Sequence, residues 1–107
     1  MTSKRTANPE ARRPATDMIL RLYVAGNSPN SERARVQLHH ICEVYLRDHY
    51  QVEYVDVWEH PEVAFADRVF ATPALRSVAP EPSVLIFGDL TQTEEVLYAL
   101  GIEARSA

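Results

Sequence analysis

The chain predicts an α/β fold of the order βαβαββα, and three observations predict it. An apolar run, MILRLYV (18–24), breaks at AGNSP and gives way to apolar residues at helical spacing. A second run of branched and aromatic residues, VEYVDVW (52–58), follows that helix, which is the pattern of a parallel crossover. The C-terminal half then holds two extended pieces and a closing run of helix formers, TEEVLYAL.

Each element has a local reason. Residues 18–24 are dense in side chains that suit a buried strand. Ser28 can accept from the first free N–H groups of a helix, and Pro29 suits the first helical position. Ala34, Leu38, Ile41, Cys42 and Tyr45 then form one apolar stripe to about Leu46, where DHYQ ends the helix. His60-Pro61 opens a short second helix running to about Val69. Thr72 precedes Pro73, which disfavours helix at Thr72 and suits a cis bond if the fold is of this class. The prolines of PEP (80–82) separate an extended piece, Ala74–Val78, from SVLIF (83–87). After the GDL turn, Thr91 and Glu94 have capping-box spacing, so residues 91–100 are predicted helical. A parallel crossover followed by a hairpin and a last helix is a thioredoxin-like α/β sandwich.

With 107 residues, 46% of them hydrophobic, the chain has the size and apolar content of one folded domain. The expected division is a flexible tail at 1–17 and a domain at 18–104. The tail holds Lys4, Arg5, Arg12, Arg13, Pro9 and Pro14, without the apolar segment of a secretory signal. A net charge of −4 argues against nucleic acid as partner, and no apolar run approaches the ~20 residues that span a bilayer. A single cysteine, Cys42, precludes an internal disulfide and fits a cytoplasmic setting.

The loop at 27–30 has the spacing of a Cys-x-x-Cys pair, yet Asn27 and Asn30 stand where the sulfurs would be. Amide side chains cannot exchange disulfides. Cys42 lies on the inward stripe and reads as core filling. His39 and Cys42 are three apart and could share a metal, but no second ligand pair accompanies them. His40, His49 and His60 read as surface residues. Asp56 and Asp89 are a conceivable acid–base pair, though Asp89 after Gly88 is more simply a turn residue. With three glycines in the chain there is no phosphate-cradling loop, and no cofactor is expected.

LYVAGNSPNS (22–31), DV (56–57), ATPAL (71–75), Pro80, Pro82 and GDL (88–90) together resemble the KaiB family, ungapped from about Ile19 to Leu100. The resemblance implies a thioredoxin relative that lost its cysteines and became a docking module. It implies binding to the N-terminal ring of a KaiC-type ATPase, with a KaiA-like protein or an associated histidine kinase as further partners. By the same resemblance Arg33, Arg68 and Asp89 are partner-contacting positions, Arg33 pointing outward from the first helical turn. Gly26, Asn27, Pro29, Asn30, Thr72, Pro73 and Gly88 carry the structural motif.

The family also implies a second packing of the C-terminal half, a strand-helix-helix-strand ground state (βαββααβ overall) that is often oligomeric. Two packings coexist when they differ by only a few kcal/mol. Here Val84 and Leu85 replace an arginine pair usual in clock members, and ALGIEA (99–104) replaces a strand-prone segment. Ala99 in place of glycine favours helix by roughly 1 kcal/mol. These two changes favour the thioredoxin-like arrangement. Glu53 and Ser77 also stand where the resemblance implies basic residues, a departure that bears on docking and leaves the scaffold intact. The expected function is a non-enzymatic regulatory module in clock-like or stress signalling. A thiol or glutathione enzyme of the same fold, and a structural oligomerisation domain, are the alternatives.

Overall fold

A computed structural model describes residues 17–102. The tail assigned to 1–17 and the last residues of the domain, 103–104, therefore lie outside the described residues, Asp17 excepted. Seven elements follow in the predicted order: β1 (Met18–Val24), α1 (Pro29–Ile41), β2 (Tyr50–Asp56), α2 (Pro61–Ala66), β3 (Ala74–Ala79), β4 (Val84–Phe87) and α3 (Thr93–Leu100). They form a four-stranded sheet of order β2-β1-β3-β4. β2 pairs parallel to β1, whereas β3 pairs antiparallel to both β1 and β4. This is the thioredoxin-like arrangement, and the strand-helix-helix-strand alternative is not the one adopted.

Alternation along β1 divides the core. Leu20, Leu22 and Val24 face α1 and α3 and join Leu38, Ile41, Cys42, Leu75, Val96 and Leu97 in the larger cluster. Tyr23 points to the other face, where Ala64, Val69 and Ala74 pack against Val55, Val57 and Leu85 under α2. Burying one leucine side chain stabilises by roughly 2 kcal/mol, so the larger cluster carries most of the fold. Ser28 accepts from Ser31 N at 3.3 Å with Pro29 just inside the helix, as the sequence predicts. A π-helical turn, Cys42–Leu46, completes the first helical segment, and its register bond runs from Arg47 N to Cys42 O at 2.7 Å.

Three elements differ from expectation by two residues or more. β2 spans 50–56 rather than 52–58, because Asp56 ends it: its carboxylate accepts from Trp58 N at 2.9 Å and its carbonyl accepts from Glu59 N and His60 N. α2 stops at Ala66 rather than near Val69, since Asp67 is drawn into side-chain bonds described below. The capping box at Thr91 does not form. α3 starts at Thr93 behind Gln92, with no side-chain cap. The Thr91 hydroxyl instead donates to Asp89 Oδ1 at 2.8 Å, a charged acceptor and hence the stronger one.

The Thr72–Pro73 bond is cis, as are Ala79–Pro80 and Glu81–Pro82. Pro73 is buried, and its carbonyl accepts from Gly88 N at 2.9 Å. Gly26 is fixed by two constraints. It has φ +54°, and a Cβ there would come within 2.6 Å of the Trp58 ring.

Candidate functional site: a docking surface beside the first helix

Asn27 and Asn30 are exposed at the turn between β1 and α1. The turn is held from below. Ala25 N donates to the buried Ser31 Oγ at 3.0 Å, Gly26 N to Asp56 Oδ1 at 3.3 Å, and Arg35 Nη2 to Gly26 O at 3.2 Å. Asp56 is thereby a loop-closing acceptor. It does not join Asp89 in an acid–base pair, because each carboxylate is engaged with different partners.

Arg33 lies one helical turn beyond Pro29 on the exposed side of α1. Its Nε donates to Asp89 Oδ2 at 3.1 Å, and its Nη2 donates to Asn30 Oδ1. Asp89 also accepts from Thr91 N at 3.2 Å and from the Thr91 hydroxyl. The threonine first, and then Arg33, hold its carboxyl below the usual range. Gln37 Nε2 donates to Leu90 O at 3.2 Å, tying the middle of α1 to the same GDL turn. The structure thus brings together two of the three suggested contact residues, 56 positions apart in sequence.

Around this pair, Glu32, Arg33, Val36, Gln37 and Thr91 line a shallow and largely apolar depression. Val36 is 65% exposed, so α1 presents apolar surface beside a guanidinium. The sequence reading missed Val36. Its place one turn after Arg33 and off the 34–38–41–45 stripe was the available signal. Arg68, the third suggested residue, is not part of this site. It follows α2, on the face of the sheet opposite α1 and α3.

The surface carries little capacity for thiol chemistry. Cys42 is 1% exposed, and burial, with a smaller contribution from Glu43, pushes its thiol up to about 11. His39 is exposed while Cys42 is buried, so the two do not offer donors to one ion. Among the described residues no three His, Cys, Asp or Glu side chains gather to hold a metal. His40, His49 and His60 are all exposed. No helix among the described residues is long and apolar enough to cross a membrane.

Comparison with known proteins bears on family and fold. The KaiB domain family model matches residues 21–102. The circadian clock oscillator protein KaiB of Acaryochloris marina is 44% identical over 84 residues, 78% of this chain and 81% of its own length. The KaiB of Synechococcus elongatus is also 44% identical, over 83% of this chain and 87% of its own. Among solved structures, the N-terminal domain of Synechococcus elongatus SasA superposes with a TM-score of 0.69 at 19% identity, over 97% of this chain and 100% of that one. Mitochondrial thioredoxin 3 of Saccharomyces cerevisiae gives 0.63 at 18% identity, over 78% of each chain. These two structural likenesses establish the fold.

Proposed function

The chain belongs to the KaiB family, and from that premise we propose that it is a non-enzymatic regulatory module that docks onto a KaiC-type ATPase or an associated histidine kinase. The setting proposed is cytoplasmic, in clock-like or stress signalling, with a KaiA-like protein as a further partner and self-association as a property of the free chain. The observation that carries this reading is the exposed Arg33–Asp89 pair beside Val36 on α1.

The physical chemistry favours docking there. An exposed ion pair contributes little to the stability of a fold, so releasing it costs little. Meanwhile Asp89 and Asn30 fix the guanidinium in place, which lowers the entropy lost when a partner carboxylate takes it. Val36 supplies the adjoining apolar contact. Asn27 and Asn30 in the turn, together with the buried thiol of Cys42, weigh against a thiol enzyme of the same fold.

Affinity for the purified N-terminal ring of the host's KaiC-type ATPase tests the reading. Arg33→Glu should weaken binding tenfold or more, equivalent to about 1.4 kcal/mol. Unchanged affinity in that variant would remove Arg33 from the interface, and no binding by the unmodified chain would remove the partner.

A further inference from the structure

Two serines are buried among the described residues, and only one of them has a partner. The hydroxyl oxygen of Ser31 accepts from Ala25 N at 3.0 Å. Ser77 is 2% exposed, yet its hydroxyl makes no hydrogen bond among the described residues. A buried hydroxyl without a partner costs stability, and native folds keep few of them.

The course of β3 decides where that hydroxyl goes. Leu75 packs into the larger core under α1 and α3, and Ser77, two residues on, faces the same side. Pairing with β1 runs from Leu20↔Ser77 to Ile19↔Ala79, so Val78 is an extra residue, and this bulge bends the strand just past the serine. There a recess of about 300 Å³ opens between the start of β1, the β3–β4 connection and the end of α3, and Ser77 lines it. Met18, Pro80, Val84 and Leu100 give it apolar walls. Glu81 and Tyr98 stand at its exposed rim, Tyr98 being 88% exposed.

This composition selects a class of ligand. Among the described residues no arginine or lysine lines the recess, whereas Glu81 and the negative end of the α3 dipole both border it, so a cation is favoured. The Tyr98 ring adds a face on which an ammonium can rest. Apolar walls with a few converging polar groups are the make-up of a small-molecule site. Serine also keeps the space open, where the longer basic side chain that the resemblance implies at this position would occupy it.

We propose that the recess binds a small amphipathic amine with a hydroxyl at its far end. The ammonium pairs with Glu81 against Tyr98, the apolar body lies along Met18 and Val84, and the hydroxyl bonds to Ser77. The site goes beyond the docking reading and shares neither Arg33 nor Asp89 with it.

The test is a titration of the ¹⁵N-labelled full chain with three probes: tyramine, phenethylamine, which lacks the hydroxyl, and 3-(4-hydroxyphenyl)propionate, which carries a carboxylate for the ammonium. Tyramine is expected to give saturable shifts centred on Ser77, Val84 and Tyr98, with a midpoint of about millimolar order for so small a molecule. Phenethylamine should bind about fivefold more weakly or worse, the worth of one hydrogen bond, and the propionate should not saturate. Ser77→Ala, a small change, should lower the affinity for tyramine to that for phenethylamine. Glu81→Gln, at an exposed position, should weaken both amines together. No saturable shift with tyramine, equal affinity for tyramine and phenethylamine, saturation by the propionate, or undiminished binding in either variant would overturn the proposal. Shifts at these residues that depend on protein concentration without any probe would overturn it too, by making a second copy the occupant. No ATPase enters the experiment, so failure here leaves the Arg33 reading intact, and failure of that reading leaves this one.

Discussion

Cys42 follows α1 with its thiol packed among Leu38, Ile41 and the strands, and burial pushes that thiol up to about 11 from an ordinary 9.0. At pH 7 only about one thiol in ten thousand is then ionised. Iodoacetamide at neutral pH should label the folded chain far more slowly than the unfolded one, and insulin reduction should be absent. Labelling at the rate of a free cysteine, or measurable disulfide turnover, would contradict this. Because the folded chain holds this proton more tightly, the thiol's stabilisation is complete below about 9.0 and is lost as pH rises through about 11. Asp89 has the opposite sign. Its carboxyl is held low by Thr91 and then Arg33, so what it contributes is present above the ordinary carboxylate range and is lost as pH falls through its own lower value. A carboxyl ¹³C titration should place its midpoint below that of a model aspartate, and Thr91→Val should raise it. An unchanged midpoint in that variant would show that the hydroxyl bond is not formed. The sequence singled out Arg33 and Asp89 only through the resemblance, passed over Val36, and did not show the pairing. Arg33 and Asp89 meet only through the fold, and local spacing carries no trace of contacts 56 positions apart.

How each helix end is held decided which elements could be read. α1 was legible because Ser28 and Pro29 form an ordinary local cap. α3 was legible in its body and not in its start, because Thr91 had a better acceptor in Asp89 than in the helix amides. The end of α2 was illegible, since the residue that closes it is Arg68 where a glycine would have announced the turn. What fixes that turn is Asp67, bonded to Tyr23 and Arg21 through its side chain and to Arg76 through its carbonyl. Tyr23 is fully buried, and burial first and the Asp67 bond second raise its hydroxyl above the usual phenol range. Asp67→Ala would leave that hydroxyl without its acceptor, at a cost of about 2–3 kcal/mol. Urea unfolding at constant pH checks it, and a loss within experimental error of zero would show that the network is ornamental to stability.

For the molecule as a whole, the thioredoxin-like arrangement was legible because local preference and global packing agree in its C-terminal half. VLIF pairs with β3 in register from Ala74↔Phe87 to Ser77↔Val84, and TEEVLYAL forms α3 over the larger core. Two further side chains suit the sheet as it stands. Ser77 is 2% exposed on β3, where a basic side chain would carry charge towards the core. Glu53 sits across from Arg21 in the β1–β2 register and bonds its Nε at 2.7 Å, where a basic residue would repel it. The KaiB resemblance implies a competing packing with strand character near the C-terminus. That packing would have to remove Val96, Leu97 and Leu100 from the core they now share with β1. Burial and propensity both oppose the move, so the free chain should already stand in the thioredoxin-like form, the one proposed to dock.

One measurement tests this directly: backbone chemical shifts of the ¹⁵N,¹³C-labelled chain, recorded alone and then with the purified N-terminal ring of a KaiC-type ATPase, the proposed partner. The free chain is expected to show a strand across 84–87 and a helix across 93–100. On addition of the ring, shifts should change around Arg33, Val36 and Asp89 with the secondary structure of the C-terminal half retained. A strand across 95–100 in the free chain, converting slowly to helix as the ring is added, would contradict the account.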